Sequence, residues 1–137
     1  MAKFSFTNKI KINDNIIDCS KKQGFKLSFS DSFEIGHVTA FSKKNISNYN
    51  YYKTGEEIII GIGSFIYKEY SDNRALKNIL NDFSNKNDIN LIKQTIIGNY
   101  VIFIKKYNEI YIFNDASNLS TLFYYKKKDI IIVCNDL

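Results

Sequence analysis

The sequence lacks proline and tryptophan altogether, and it contains a single histidine, His37, and a single arginine, Arg74. Two cysteines and no Cys-x-x-Cys pair leave too few ligands for a structural zinc site, so we expect no metal. Nucleic-acid-binding surfaces usually carry a stripe of basic residues that includes arginine. The lysines of this chain are scattered among acidic residues, so the net charge of +5 does not indicate a nucleic-acid partner.

Long apolar runs are also absent from the sequence. Residues 58–62 are far too few to span a bilayer, and the N-terminal residues lack the apolar segment of a signal peptide. We therefore expect no membrane partner and a cytoplasmic location, in which Cys19 and Cys134 stay reduced. Because Gly61 and Gly63 are not followed by the lysine of a phosphate-binding loop, we expect no cofactor.

The hydrophobic share of the sequence is ordinary, at 45% of 137 residues. This is enough for one domain over residues 1–137 with a substantial core. The most apolar region runs from Gly98 to Asn135, where four alternating runs are separated by three polar turns. Alternation places every second side chain on one face of a strand. The pattern predicts a four-stranded antiparallel meander as the central sheet.

Alternating apolar residues also predict strands before that region. These predicted strands are Lys3–Thr7, Phe25–Phe29, Phe33–Ser42 and Glu57–Tyr67. Two polar stretches, Asp14–Gln23 and Lys43–Gly55, have no clean period. We interpret both stretches as surface loops.

A helical pattern separates the two groups of strands. Four apolar residues recur at the spacing of one helix face: Leu76, Ile79, Leu80 and Phe83. The preceding Ser71-Asp72-Asn73 favours a helix N-cap, and a second, short helix is predicted to begin at Asp88. Strands followed by helices and then by strands are typical of an α+β fold.

Several short motifs follow one another along the chain. They are Gly36-His37-Val38-Thr39, Gly63-Ser64-Phe65-Ile66-Tyr67-Lys68, Ser71-Asp72, Gly98-Asn99-Tyr100-Val101, Asn114-Asp115 and Thr121-Leu122-Phe123-Tyr124-Tyr125. This order resembles the N-terminal glutaminase domain of asparagine synthetase-type proteins, the class II glutamine amidotransferases. The resemblance implies an αββα sandwich of two antiparallel sheets with helices, the fold of the N-terminal-nucleophile (Ntn) hydrolases.

The resemblance also implies which catalytic groups have been lost. In that family the nucleophile is an N-terminal cysteine, whose own amino group is the base. Ala2 falls at this position, and Thr39 falls at the arginine that holds the glutamine carboxylate. Gly63 and Ser64 fall at the Asn-Gly pair of the oxyanion hole. Asp72 alone keeps its family identity, at the position that holds the substrate's amine. The resemblance therefore implies five vestigial glutamine-site positions and no catalytic residue.

A degenerate, non-catalytic glutaminase-like domain is the function that this resemblance implies. Its expected role is as scaffold or partner of an asparagine synthetase-like, ATP-dependent amide-forming enzyme, or in self-association. Family members continue into a synthetase domain with a Ser-Gly-Gly-x-Asp-Ser loop. That loop is absent from this sequence, and both a free-standing module and a piece of a longer synthetase remain open. One alternative is a protein or peptide interaction module that uses an aromatic sheet face and has no enzymatic role. Another is a hydrolase that uses unrelated residues.

Simple structural roles also account for several of these residues. Asp72 is interpreted as a helix cap, Asp115 as a carboxylate that closes a turn, and His37 as a structural histidine. The pair Tyr124-Tyr125 is interpreted as half-buried packing on the sheet rather than as a stacking platform. The lysines of Lys126–Lys128 are interpreted as a solvated hairpin.

Overall fold

The computed structural model describes residues 2–43 and 49–135, without the side chain of Tyr49. Within these residues the chain forms two antiparallel sheets and three helices, which confirms the α+β class. The elements, in chain order, are β1 (Ala2–Thr7), α1 (Ile10–Lys22), β2 (Phe25–Phe33), β3 (Gly36–Lys43), β4 (Tyr49–Thr54), β5 (Glu57–Ile66), α2 (Asp72–Asp82), α3 (Asp88–Thr95), β6 (Ile97–Lys106), β7 (Glu109–Asn114), β8 (Phe123–Lys127) and β9 (Ile130–Cys134).

The chain divides into two compact units, each with one sheet. Unit 1 takes the described residues up to Tyr49 and from Thr121 onward, and unit 2 is Asn50–Ser120. The strand order is β2-β3-β1-β9-β8 in the first sheet and β4-β5-β6-β7 in the second. Whether residues 1–137 behave as one domain stays a prediction.

In unit 1 the two ends of the described chain meet in one sheet. The central strand β1 pairs with β3 on one side and with β9 on the other. The backbone N–H of Phe4 donates to Oδ1 of Asn135 at 2.6 Å, which links residues 131 positions apart. Helix α1 packs on this sheet. Every residue of β1 is buried, so both faces of this strand belong to the core.

In unit 2 the helices cover one face of the sheet. Helix α2 buries Ala75, Leu76, Ile79 and Leu80, and α3 buries Ile92. These side chains form one apolar cluster with Ile59 of β5 and with residues of β6 and β7. Lys106 donates from Nζ to the carbonyl oxygen of Leu80 at 2.9 Å, in the last turn of α2. A cation there is favourable because the C-terminal end of a helix carries partial negative charge.

The predicted four-stranded meander over Gly98–Asn135 is wrong as a single sheet. The four strands exist, but β6 and β7 pair with each other in unit 2, whereas β8 and β9 pair in unit 1. The chain passes from unit 2 to unit 1 at the end of the polar segment that contains Asp115 and Ser120. Alternation specifies that a segment is a strand and which face it buries, but it does not specify the neighbouring strand.

Two predicted loops also contain regular structure. Asp14–Gln23 lies largely in helix α1, where Ile12, Ile16 and Ile17 are half-buried. The many Asn and Asp residues obscured this helix, because they favour caps and turns over helix interiors. The predicted loop Lys43–Gly55 contains strand β4, and residues 44–48 of it lie outside the described residues.

The helices and several strands are confirmed near their predicted positions. Helix α2 begins at Asp72 and α3 begins at Asp88, as the periodicity and the polar residues before each helix indicate. Strand β5 covers all but the last residue of the predicted strand Glu57–Tyr67. The predicted turn from β2 to β3 lies later than expected, at Glu34-Ile35.

Candidate functional site

The five positions that the sequence predicts as vestigial glutamine-site residues are divided between the two units. Ala2 and Thr39 lie in unit 1, and Gly63, Ser64 and Asp72 lie in unit 2.

Ala2 and Thr39 lie on neighbouring strands but on opposite faces of the sheet. Ala2 is opposite Ser42, and Thr39 is opposite Ser5. Because facing residues of an antiparallel pair share a face and side chains alternate along the strand, Ala2 projects away from the face that carries Thr39. Both side chains are buried, and that of Thr39 is completely so. With the strands paired in this way, side chains at positions 2 and 39 do not contact the same ligand.

The hydroxyl of Thr39 has a partner inside the sheet. Its Oγ1 shares a hydrogen bond of 2.6 Å with Oγ of Ser5 on β1. Both residues are buried, so neither hydroxyl is presented to a ligand in solvent. A buried polar pair that satisfies itself in this way stabilises the pairing of β1 with β3.

Gly63 is required by the close approach of strands β5 and β6. Its φ of +108° is in the region that favours glycine, and a Cβ built on it would lie 2.1 Å from the carbonyl oxygen of Asn99. Gly98 meets the same condition from the other strand, since its Cβ would lie 2.2 Å from the carbonyl oxygen of Ser64. The two glycines bring the backbones together where the exposed Ser64 pairs with Asn99. A larger residue at position 63 requires the strands to separate.

Asp72 is the first residue of α2, and its side chain is exposed. Its φ of +53° is unusual for a residue other than glycine. The preceding N-cap residue, Ser71, makes no side-chain hydrogen bond to the helix, and its Oγ instead donates to Oδ2 of Asp72 at 3.4 Å. The helix starts where the sequence predicts, but without the capping hydrogen bond that Ser71-Asp72-Asn73 suggests.

A cavity of about 310 Å³ lies between α1 and the sheet of unit 1. Its walls are mostly apolar, and its volume is at the lower end of the range for small-ligand pockets. It is lined by Lys3, Phe4, Ser5, Ile12, Asn15, Ile16, Cys19, Ser20, Gln23, Phe41, Ile132 and Cys134. Sequence reasoning missed this cavity because it depends on helix α1, which was interpreted as a loop.

Both thiols of the chain line this cavity. Cys134, on β9, is buried, as its place in a strand pattern predicts, and Cys19, on α1, is exposed. Lys3 is also at the cavity wall, where its Nζ donates to Oε1 of Gln23 at 2.7 Å and lies 4.4 Å from the ring centroid of Phe25. The cation is thus placed beside the C-terminal end of α1, where positive charge is favourable. The cavity combines apolar walls with two thiols and one ammonium group.

Asp115 closes the turn after β7, as the sequence predicts. Its two carboxylate oxygens accept hydrogen bonds from the backbone N–H groups of Leu119, at 3.0 Å, and Ser120, at 2.8 Å. Burial by itself would raise the pKa of Asp115, but the hydrogen bonds from Ser120 and Leu119 hold it below its usual range. The carboxylate is therefore ionised and fully used in holding the turn.

Tyr100 carries a buried hydroxyl beside this turn. Its ring makes edge contacts with Phe65 and Phe113, and its hydroxyl has no hydrogen-bond partner within residues 2–43 and 49–135. Burial, together with the negative charge of Asp115, raises the pKa of Tyr100 to about 12. The phenol is thus protonated throughout the physiological range and is not a general base.

The predictions made for His37 and for the tyrosines of β8 agree with the structure to different degrees. His37 shares a hydrogen bond of 2.8 Å between its Nδ1 and Oγ of Ser32, a strand-to-strand contact that fits the predicted structural role. Tyr125, at 50% exposed, is half-buried as predicted, whereas Tyr124, at 65%, is more exposed than predicted. The neighbouring lysines, Lys126–Lys128, are exposed as predicted.

Comparisons of the chain with protein-family models, with curated proteins and with solved structures find no match. Over the part of the chain that the structure describes, no group of three or more His, Cys, Asp or Glu side chains is placed to hold a metal ion. None of the helices α1 to α3 is long and apolar enough to cross a membrane.

Proposed function

We propose that this chain is a non-catalytic, glutaminase-like domain of the class II glutamine amidotransferase type. The proposed fold is the αββα sandwich of the Ntn hydrolases, and the proposed role is as scaffold or partner of an ATP-dependent, amide-forming synthetase. Two antiparallel sheets with three helices are compatible with a mixed sandwich and support this assignment.

The observation that carries the proposal is the environment of Thr39. Glutaminase chemistry needs a cation at this position to hold the substrate carboxylate, and a hydroxyl cannot replace a bidentate guanidinium. The side chain of Thr39 is fully buried, and its hydroxyl is hydrogen-bonded to Ser5. This position therefore contributes to the core of unit 1 rather than to a ligand site.

The other vestigial positions support the same conclusion. Ala2 has no nucleophilic atom, and its side chain is buried. Gly63 supplies no side-chain amide for an oxyanion. The space for such an amide is also lost, because a Cβ at position 63 would overlap the carbonyl of Asn99. Loss of the nucleophile alone removes orders of magnitude of rate.

A glutaminase assay tests the absence of catalysis. We expect ammonia release from glutamine at background for the unmodified chain and for Ala2→Cys, and no labelling by the glutamine-analogue electrophile diazo-oxo-norleucine. An active class II amidotransferase is the positive control, and circular dichroism confirms that each variant is folded. Turnover by the unmodified chain would overturn the proposal. Because Ala2 and Thr39 project from opposite faces of the sheet, Ala2→Cys/Thr39→Arg is also expected to stay at background. Turnover only in that double variant would support descent from a glutaminase but contradict this arrangement of the two side chains.

A binding assay tests the scaffold role. Mixed with an asparagine synthetase-type enzyme, from the same genome where that genome encodes one, the chain is expected to co-elute in gel filtration and to alter the synthetase's stability or rate. A synthetase that is fully stable and active alone, and that forms no complex with the chain, would contradict this role.

The second candidate function is an interaction module without enzymatic ancestry. The observation that favours it is the exposure of the aromatic residues of β8, Phe123, Tyr124 and Tyr125. Such a module binds a protein or peptide other than a synthetase. In the gel-filtration experiment it is therefore expected to form no complex with the synthetase, whereas a scaffold domain does.

A further inference from the structure

Within the part of the chain that the structure describes, strand β8 is an edge strand of the sheet in unit 1. Its sequence is Phe-Tyr-Tyr-Lys-Lys, and all five residues are exposed. Among the described residues it pairs only with β9, in a regular register from Phe123 opposite Cys134 to Lys127 opposite Ile130. The outward backbone groups of such a strand are a template for another strand.

The opposite edge of the same sheet is protected differently. Strand β2 has a register shift between Leu27 and Phe29, and an irregularity of this kind twists an edge away from further pairing. Strand β8 has no register shift along its pairing with β9. Lysines protect only one end of β8 against pairing with another strand, because its first three residues are aromatic.

We propose that β8 pairs with β8 of a second copy of this chain, antiparallel, with Tyr125 on the two-fold axis. The resulting interface is isologous, so each contact occurs twice. Sheet continuation of this kind joins the two five-stranded sheets edge to edge.

The sequence of β8 is self-complementary in this register. Phe123 lies opposite Lys127 of the second copy, Tyr124 lies opposite Lys126, and Tyr125 lies opposite itself. Each lysine is therefore beside an aromatic ring, which attracts a cation, and no lysine faces a lysine. The five residues of the strand are all paired.

Neighbouring registers are less favourable. In a side-by-side antiparallel pair related by a two-fold axis, facing residues share a sheet face, so the axis passes through a residue position. An axis at Lys126 places two lysines directly opposite each other, and like charges in facing positions are destabilising. An axis at Tyr124 leaves Lys126 and Lys127 opposite residues that precede β8. The register centred on Tyr125 is the one that uses the strand fully.

The contact between two five-residue strands is small compared with a standard stable interface. We therefore expect a weak dimer in reversible equilibrium with monomer. The pairing depends on β8 and not on glutaminase ancestry, so its failure would leave the proposed function unaffected.

Disulfide trapping tests the register. In a Cys19→Ser background, which removes the exposed thiol, Tyr125→Cys is expected to form a covalent dimer under mild oxidation. Facing residues at the axis are within the separation, up to about 7 Å between Cα atoms, that a disulfide spans. Tyr124→Cys is the matched control, because its two copies lie diagonally across the axis and are too far apart. Equal cross-linking of both variants, or of neither, would overturn the proposed pairing.

Sedimentation of the chain without engineered thiols tests the dimer itself. The unmodified chain is expected to shift towards dimer mass between micromolar and millimolar concentration. Tyr125→Lys places two charges on the axis and is expected to weaken association by about tenfold or more. Tyr107→Lys, at an exposed tyrosine in the turn from β6 to β7, is expected to behave as the unmodified chain. A strict monomer throughout, or equal effects of the two substitutions, would contradict the proposal.

Discussion

At the scale of single residues, several buried polar side chains of this chain hold neighbouring segments of backbone together. Asp115 closes a turn with both carboxylate oxygens, and the hydroxyls of Ser5 and Thr39 bond to each other between strands. Thr39, which a motif would place in a glutamine site, therefore already has a structural partner. Ser5 is the residue that sequence reasoning missed, since only strand pairing places it opposite Thr39.

Asp115 gives a prediction for the pH dependence of stability. Its pKa is lowered in the folded chain, so its ionised form stabilises the fold at pH values above the unfolded pKa of about 3.9. This stabilisation is lost as the pH falls through the folded pKa. We expect Asp115→Asn to lower the free energy of unfolding at pH 7 by about 1–3 kcal/mol, because the backbone N–H groups of Leu119 and Ser120 lose a charged acceptor.

Urea denaturation at pH 7 and near pH 3 measures this effect. The difference in unfolding free energy between Asp115→Asn and the unmodified chain should be smaller at the lower pH, because the carboxyl group of Asp115 is becoming protonated there. Asp14→Asn, on the exposed side of α1, is the matched control and should change stability by no more than about 0.5 kcal/mol. A constant difference at both pH values would contradict the assigned ionisation.

At the scale of elements, α2 shows how local periodicity translates into burial. Leu76, Ile79 and Leu80 are essentially inaccessible to solvent and pack with Ile59 of β5. Helix α3 contributes less, because Ile92 is its one fully buried residue and Leu91 is 67% exposed. The two leucines, Leu80 and Leu91, therefore make a matched pair for a test of packing.

Leu80→Asp is expected to unfold the protein. An unpaired carboxylate in the core should cost about 4 kcal/mol or more, which is comparable with the total stability of a small domain. Leu91→Asp introduces the same group at an exposed helical position and should change stability by about 0.5 kcal/mol or less. Circular dichroism and thermal unfolding of both variants provide the measurement. A Leu80→Asp variant that stays folded and unfolds cooperatively would count against this packing of α2.

At the scale of the whole molecule, the net charge of +5 opposes any association of two copies. Added salt screens this repulsion, because the Debye length falls from about 30 Å at 0.01 M to about 8 Å at 0.15 M. The aromatic and backbone contacts proposed for β8 are short-range and less sensitive to salt.

We therefore expect the dimer fraction to increase with ionic strength. Sedimentation velocity at fixed protein concentration in low and physiological salt measures this fraction, and Tyr125→Lys should show little dimer in either buffer. A dimer that dissociates as salt is added would indicate an interface held by opposite charges. That result would exclude the lysine–aromatic register proposed for β8.

Elements whose signal is local can be predicted from the sequence alone. The apolar spacing of Leu76, Ile79 and Leu80 specifies α2, and alternation specifies β5 and the four strands after Gly98. The residue types at Ala2 and Thr39, on which the proposed loss of glutaminase groups rests, are likewise read directly from the sequence. These conclusions depend on residues close together in the chain or on single positions matched to a motif.

Which strands share a sheet, and which side chains remain exposed, depends on contacts between residues far apart in the chain. Strands β8 and β9 resemble β6 and β7 in pattern, yet β9 pairs with β1 near the other end of the chain and β8 pairs with β9. Alternation is a property of one strand, whereas pairing depends on which distant strand offers a complementary face and free backbone groups. The cavity under α1 and the edge position of Tyr125 both follow from that long-range pairing.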